Sequence, residues 1–308
     1  MLKVTNLTKN YKEFEVLKGI SFEIKRGKIH GFLGQNGSGK TSTMNILTGL
    51  IGYNSGDIMY NGKDFNKNKR RILKNVGYLP QNPVFYNYMT GYEYLDFIGR
   101  LSNMSITTIK KRSNEILEIV GLKDAGNRKL SGFSGGMKQR FGLCVSLFNK
   151  PELLFLDEPT SALDPEGRME ILEFINSLKN EGVSVFLSTH ILNDVERVCD
   201  EVSILKDGKI VVSAGLEELK NDYIQPIYDL EFEYDCSNFK EKLSKLNWVE
   251  NIQSNKNKLN IYVKDINLAR SKLLQLLAIE PNHLMSFNLR KSNLEEIFLK
   301  LVNKDAHI

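Results

Sequence analysis

A glycine-rich run between residues 34 and 41 is the first group that could do chemistry. The run Gly34-Gln-Asn-Gly-Ser-Gly-Lys-Thr41 fits the pattern GxxxxGK[ST]. Its glycines let backbone N–H groups close around phosphate oxygens, because no Cβ stands in the way. Lys40 can reach the β- and γ-phosphates of a nucleotide, and the Thr41 hydroxyl can ligate Mg²⁺. We therefore predict a nucleotide site formed by Gly34, Asn36, Gly37, Ser38, Gly39, Lys40, Thr41 and Ser42.

Two adjacent carboxylates form the second chemical group. The apolar run Leu153-Leu-Phe-Leu is typical of a buried strand, and Asp157 and Glu158 follow it directly. We expect Asp157 to hold Mg²⁺ through a water molecule, and Glu158 to orient the attacking water or accept its proton. Adjacent acids at a strand end are common by themselves. After a phosphate loop, they indicate nucleotide hydrolysis.

A third run lies between these two motifs. It reads Ser134-Gly-Gly-Met-Lys-Gln-Arg140. The Ser134 hydroxyl and the N–H groups of Gly135 and Gly136, at the start of a helix, suit a γ-phosphate.

Together the three motifs resemble the ATP-binding subunit of ABC transporters, over about residues 1–215. The resemblance implies that Ser134, Gly135 and Gly136 reach the ATP held by the loop of a second subunit. Phe133 stands where leucine is more usual, and Met137 stands where the family has glutamine. Neither change removes the hydrogen-bond donors.

The resemblance extends to five more positions. Tyr11 matches the aromatic residue that stacks on adenine, with Val16 beside it, and Gln81 matches the glutamine that touches Mg²⁺ and water. Asp164 closes the Ser161-Ala-Leu-Asp164 segment, which links the two ATP sites in the family. His190 matches the switch histidine at the γ-phosphate. The alternatives are a strand-surface tyrosine and a structural histidine, although His190 follows a predicted buried strand by two residues.

Alternating strands and helices are predicted around these motifs. We expect a strand over 28–33 before the phosphate loop and a helix over 40–48 after it. Further strands are expected at 153–156 and 184–188, and a helix over 165–179 begins with proline. The fold class is therefore α/β. The resemblance implies a RecA-like P-loop core, an antiparallel β subdomain near the N-terminus and a helical subdomain around residues 91–148.

The pattern changes near Lys220. Tyr228, Leu230, Phe232 and Tyr234 alternate with acidic residues, which predicts a half-buried strand. Two helices and two more strands are expected, then a last helix from Ser292. We therefore predict an ABC ATP-binding domain at 1–218 and a C-terminal α+β domain of ferredoxin-like type at 222–308. No catalytic constellation is evident in this second domain, which favours a dimerisation or regulatory role.

Composition limits the cellular setting. The chain has 308 residues, a formal charge of +5, 41% hydrophobic residues and three cysteines without metal-ligand spacing. The modest charge is weak evidence for a nucleic-acid partner, and no apolar run is long enough to span a bilayer. We expect a cytoplasmic chain, peripheral on the inner face of the membrane through a permease partner. The resemblance also implies a second ATP-binding subunit.

An aromatic segment follows Gln81. Six aromatic rings lie between Val84 and Phe97. In the family, this surface receives the coupling helix of the membrane subunit, while the plainer interpretation is the core of the helical subdomain.

The favoured interpretation is the ATP-hydrolysing motor of an exporter. The run 133–140 and the tail Asn293-Leu-Glu-Glu-Ile-Phe298 are similar to exporters of the bacitracin and lantibiotic type, which implies a drug, peptide or lipid-like substrate. One alternative is a soluble ABC ATPase that acts on ribosomes or DNA, and another is a regulatory nucleotide-binding module. The intact Lys40, Asp157, Glu158 and His190 argue against the regulatory module.

Overall fold

The computed structural model describes residues 1–223, 226–291 and 294. The chain divides into two compact units, Met1–Leu216 and Glu217–Ile308. Within the described ranges, no helix combines the length and apolar character needed to cross a membrane.

The first unit alternates strands and helices along most of its length. Its strands are β1 (Leu2–Tyr11), β2 (Phe14–Ile24), β3 (Ile29–Gly34), β4 (Ser55–Tyr60), β5 (Lys63–Asp64), β6 (Val76–Leu79), β7 (Leu153–Asp157), β8 (Ser184–Thr189), β9 (Glu201–Lys206) and β10 (Lys209–Gly215). Its helices are α1 (Lys40–Leu47), α2 (Phe65–Leu73), α3 (Gly91–Leu101), α4 (Ile106–Ile119), α5 (Gly135–Leu147), α6 (Pro165–Ser177) and α7 (Leu192–Val198).

A six-stranded sheet is the centre of this unit. Its order is β10-β9-β3-β8-β7-β6, and all neighbours are parallel except the β9–β10 hairpin. Every residue of β3, β7 and β8 is buried, and the apolar run of β7 is typical of such a strand. Since parallel strands end at the same edge of a sheet, the loops after β3, β7 and β8 meet there.

A second sheet is antiparallel, with the order β2-β1-β4-β5. It packs against the central sheet through a cluster of rings. Phe22 of β2 stacks on Phe186 of β8 with centroids 5.4 Å apart, and Phe186 also contacts Phe32 and Phe155 at 5.1 and 5.7 Å. These contacts form one core between the two sheets.

Three helices, α3, α4 and α5, form the helical part predicted around residues 91–148. Phe141 of α5 is fully buried and contacts Phe85, Tyr94 and Phe133 edge-on at 5.0 to 5.9 Å. Part of the aromatic segment after Gln81 is therefore core. The RecA-like α/β class with its two subdomains is confirmed.

The second unit contains β11 (Pro226–Phe232), α9 (Ser237–Ser244), β12 (Val249–Asn255), β13 (Lys258–Val263), α10 (Ile266–Ala278) and β14 (Leu284–Lys291), with α8 (Leu216–Tyr223) at its start. The sheet order β12-β13-β11-β14 is antiparallel throughout and has the βαββαβ connectivity of a ferredoxin-like fold. The predicted class of this unit is confirmed. The first strand ends at Phe232, earlier than predicted, and Tyr234 is 64% exposed. The predicted last helix lies outside the described residues, except Leu294.

Candidate active site at the phosphate loop

The phosphate loop connects β3 to α1. Gly37 and Gly39 have φ values of 84° and 111°, which side-chain-bearing residues rarely adopt, so glycine is needed at both positions. The Lys40 ammonium group folds back over the loop and donates to the carbonyls of Gly34 and Gln35 at 2.8 and 3.2 Å. The loop thus holds its cation in place before any phosphate is bound.

A cavity of about 420 Å³ opens beside this loop. Nine side chains or backbones line it, and all nine were among the predicted site residues: Val16, Asn36, Gly37, Gly39, Lys40, Thr41, Ser42, Gln81 and Glu158. The volume lies within the usual range for small-molecule sites.

Asp157 lies at the end of β7 and is 1% exposed. Its Oδ1 accepts a short hydrogen bond from the Ser188 hydroxyl, because Ser188 is its register partner on β8. Its Oδ2 is buried without a hydrogen-bond partner among the described residues. Burial raises the pKa of Asp157, and the nearby hydroxyls of Ser188 and Thr41 oppose that rise. An unpartnered, buried carboxylate oxygen beside a hydroxyl is a donor set that suits a hard cation.

Glu158 is the point where several elements meet. Its Oε2 accepts from Gln81 Nε2 at 3.1 Å, and its Oε1 lies 3.0 Å from His190 Nδ1 and 3.9 Å from Lys40 Nζ. The residue has φ of 49°, an uncommon conformation for a side chain of this size. A hydrogen bond from its backbone N–H to the Ser188 carbonyl, at 3.0 Å, holds this turn. Strained backbone of this kind is found most often at functional sites.

Lys40 lies in the same buried region as the two acids. Burial lowers the pKa of Lys40, and the charges of Glu158 and Asp157 act in the opposite direction. The positive charge of Lys40 and the negative charges of the two acids compensate one another in this buried region. The negative charge of a bound polyphosphate would alter that balance.

Several predicted residues lie outside the cavity lining. Ser134 caps α5 by accepting from the Met137 N–H at 3.2 Å, with Gly135 and Gly136 in the first turn. Asp164 caps α6 by accepting from the Gly167 N–H at 3.3 Å. Tyr11 ends β1 and is 47% exposed. Of the remaining members, Gly34 ends β3, and Ser38 is buried in the loop with a hydroxyl that finds no hydrogen-bond partner in the described part of the chain.

Two parts of the arrangement were missed at the sequence level. Ser188 was assigned only to a buried strand, yet its hydroxyl orients Asp157. A parallel alignment of 153–157 with 184–188 would have placed the two residues opposite each other. Asp194, four residues after His190, binds Thr160 and Arg168, and no local pattern of the sequence indicates that contact.

Known proteins share these features. The family described as ABC transporter matches residues 17–161, and the family described as ATP-binding protein DrrA1-3-like, C-terminal domain, matches residues 215–302. An uncharacterized ABC transporter ATP-binding protein of Bacillus subtilis, YxlF, is 38% identical over 310 residues, which cover 98% of this chain and 100% of the relative. The bacitracin transport ATP-binding protein BcrA of Bacillus licheniformis is 41% identical over 223 residues, 71% of each chain.

Solved structures agree with the relatives. The ATP-binding cassette MJ0796, in a dimeric post-hydrolysis state bound to ADP and Pi, is 27% identical, with a TM-score of 0.66. The similarity covers 70% of this chain and 99% of that chain. The predicted resemblance to ABC subunits, including those of the bacitracin type, is confirmed. The chain belongs to the ABC transporter family, as one of its ATP-binding and ATP-hydrolysing subunits.

Proposed function

We propose that this chain is the motor of a membrane exporter and that Glu158 is its catalytic base. The observation that carries the proposal is the convergence of Gln81, His190 and Lys40 on the Glu158 carboxylate, at 3.1, 3.0 and 3.9 Å. Glu158 takes the proton of the water that attacks the γ-phosphate, while Gln81 and His190 orient the carboxylate and the water. Lys40 stabilises the charge on the transferred phosphoryl group.

The phosphate loop binds the nucleotide and leaves its γ-phosphate beside Glu158. Backbone N–H groups of Asn36, Gly37, Ser38 and Gly39 face the phosphates, and Tyr11 stacks on the base with Val16 beside it. Asp157, Thr41 and Gln81 supply oxygen ligands for Mg²⁺, which fits the unpartnered Asp157 Oδ2. When bound, Mg²⁺ would neutralise charge on the phosphate oxygens.

A second copy, or a homologue, completes each site. Ser134, Gly135 and Gly136 do not line this chain's own cavity, which supports a role at the ATP held by the second subunit. We assign Asp164, at the start of α6, to the same interface, because it closes the Ser161–Asp164 segment that follows the acids in the chain. Two subunits then close on two ATP molecules, and hydrolysis reopens them.

A permease would convert this cycle into transport. Val84, Tyr86 and Tyr88 are 86%, 50% and 68% exposed and directly follow the Gln81 loop, so they offer an apolar surface for a membrane subunit. The chain would therefore be cytoplasmic and peripheral on the inner membrane face. The bacitracin transport relative supports a drug, peptide or lipid-like substrate.

The first test replaces Glu158 by glutamine, which keeps the shape of the side chain and removes the base. We expect ATP hydrolysis to fall by about 10²–10⁴-fold while the ATP dissociation constant stays within about threefold. Glu152→Gln makes the same change at the opposite end of β7, where the side chain is exposed, and should hydrolyse normally. Normal ATP hydrolysis by Glu158→Gln would contradict the role of Glu158 as the catalytic base.

A second experiment tests the transport setting. Tagged Glu158→Gln protein is purified from membranes with ATP and Mg²⁺, where the closed pair should accumulate. Recovery of a membrane permease in stoichiometric amount is expected. Recovery only with ribosomes or DNA would contradict the transport proposal.

A further inference from the structure

A buried carboxylate next to the site has no part in the chemistry described so far. Asp194, in the first turn of α7, is 1% exposed. Its Oδ2 accepts from the Thr160 hydroxyl at 2.6 Å, and its Oδ1 accepts from Arg168 Nε and Nη2 at 2.6 and 2.5 Å. Three charge-assisted hydrogen bonds therefore end on one buried group.

The three residues of this cluster come from three segments of the site. Thr160 lies two residues after Glu158, Arg168 is in the first turn of α6, and Asp194 lies four residues after His190. The Asp194 N–H also donates to the Ile191 carbonyl at 3.2 Å, which ties the carboxylate to the residue next to His190. One side chain thus joins both segments that carry the Glu158–His190 contact.

The segment between Glu158 and Asp164 has no regular structure and is held by local bonds. The Ser161 N–H and hydroxyl both donate to the Glu158 carbonyl, at 3.3 and 3.0 Å, and the Leu163 N–H donates to the Thr160 carbonyl at 3.2 Å. These bonds link each residue to its neighbours but not to the rest of the molecule. The hydroxyl of Thr160 supplies such a link, since Asp194 lies on another element.

The same segment approaches the start of α5. A Cβ on Gly136 would come within 3.3 Å of Leu163 Cδ2, and Arg140 Nη2 on α5 lies 2.7 Å from Glu170 Oε2 on α6. Helix α6 therefore contacts α5 through Glu170 and α7 through Arg168. Helix α6 thus lies in contact with both the helix that begins at the Ser134 turn and the helix that carries Asp194.

We propose that Asp194 is a positioning residue for ATP hydrolysis, which holds Thr160 and the start of α7 so that Glu158 and His190 stay in contact. This proposal rests on the proposed function of Glu158. The physical reason is that a buried carboxylate is stable only when its hydrogen-bond donors are in place. The segments that carry those donors are therefore held in fixed positions relative to each other. Asp194 touches no reacting group, and its effect passes through Thr160 and the α7 backbone.

The decisive variant is Thr160→Val, which removes the hydroxyl but keeps the volume and leaves the Arg168–Asp194 ion pair. We expect kcat for ATP hydrolysis to fall by about 10- to 100-fold, because small displacements of catalytic groups have effects of that size. The ATP dissociation constant should change less than twofold, and Thr160→Ser, which restores the hydroxyl, should recover most of kcat. Wild-type kcat in Thr160→Val would overturn the proposal, and so would a weaker ATP affinity with unchanged kcat.

Thr48→Val is the matched control. Thr48 is also buried, and its hydroxyl bonds to the Met44 carbonyl at 2.8 Å, away from the acids. If Thr48→Val lowers kcat as much as Thr160→Val, the effect is structural and the proposal fails. Glu158→Gln distinguishes the proposal for Asp194 from the proposed function on which it rests. Normal hydrolysis by Glu158→Gln would contradict the role of Glu158 as the base. An inactive Glu158→Gln together with wild-type kcat in Thr160→Val would contradict only the proposed role of Asp194.

Discussion

At the scale of single residues, the site keeps groups that cost stability. Asp157 is buried with one carboxylate oxygen that no described residue hydrogen-bonds, and Glu158 adopts a left-handed backbone conformation. Conformations of that kind cost on the order of 1–3 kcal/mol for a residue with a side chain. Both features are understandable if their function is to meet a cation and a water molecule that arrive with ATP.

Replacing Asp157 by asparagine tests this trade-off. Burial raises the folded-state pKa above the ordinary 3.8, so the stability that depends on this group is greatest below that value. It is lost as the pH rises through the folded-state pKa, and at pH 7 the charge is a net cost. We expect Asp157→Asn to increase the free energy of unfolding without nucleotide by about 1 kcal/mol, which raises Tm by about 2–4 °C. The stabilisation by Mg²⁺ with ATP should disappear.

Thermal unfolding with and without Mg²⁺ and ATP measures both effects. Asp124→Asn, at an exposed position, is the control and should behave as the wild-type protein. A lower Tm for Asp157→Asn without nucleotide would contradict the assigned cost.

At the scale of elements, three helix starts carry side chains that cap the helix. Ser134, Asp164 and Ser105 all cap helices with side-chain oxygens, at α5, α6 and α4 respectively. A cap satisfies backbone N–H groups that the helix leaves free. At α5 we assign the same first turn to the ATP of the second subunit, so Ser134 has two roles and Ser105 has one.

Alanine variants separate these roles. Ser134→Ala and Ser105→Ala each lose one cap hydrogen bond, of 3.2 Å in both cases, and should each lose about 1 kcal/mol of stability. Only Ser134→Ala should also reduce ATP-dependent dimerisation and hydrolysis, which sedimentation and phosphate release measure. Equal activity in the two variants would mean that Ser134 only caps α5.

At the scale of the whole molecule, each of the two units has a hydrophobic core of its own among the residues that the structure describes. One core joins the two sheets of the first unit around Phe22 and Phe186, and the other lies between the second unit's sheet and its helices α9 and α10. Trp248 is the single tryptophan of the chain and is 2% exposed in the second core. Its fluorescence therefore reports on one unit only.

Mg²⁺ with ATP should stabilise the first unit alone, because a ligand stabilises the unit that it binds. At an ATP concentration 100 times its dissociation constant, the free energy of unfolding increases by about 2.7 kcal/mol. We expect the circular dichroism transition of the first unit to shift upward while the Trp248 fluorescence transition stays in place. Leu243→Ala, in the second core, should lower the free energy of unfolding of the second unit, followed by Trp248 fluorescence, by about 2–5 kcal/mol. ATP hydrolysis should be unchanged. A common shift of both transitions would show that the units unfold together.

Local sequence patterns predicted most of the elements around the site. The helix after the phosphate loop was expected over 40–48 and spans Lys40–Leu47, and the strand expected over 184–188 spans Ser184–Thr189. Such elements are visible because their apolar periodicity, glycines and caps act over a few residues. The strand expected to reach Tyr234 stops at Phe232, where the pairing with β13 ends after Glu231 and Lys258. Alternation continues there, but beyond Phe232 the backbone bonds to His283 and Asn282, which precede β14, and no longer to a neighbouring strand.

The sequence by itself determined which residues could bind phosphate and which acids could act, because these motifs are contiguous and their spacing is set by a single loop or strand end. Only the tertiary structure decided that Gln81, Lys40 and His190 meet at Glu158, that Ser188 holds Asp157, and that Asp194 joins Thr160 to Arg168. Those contacts join residues far apart in the chain, and they arise from the order of β3, β8, β7 and β6 in one sheet. Strand order is fixed by packing over the whole unit, so no local pattern contains it.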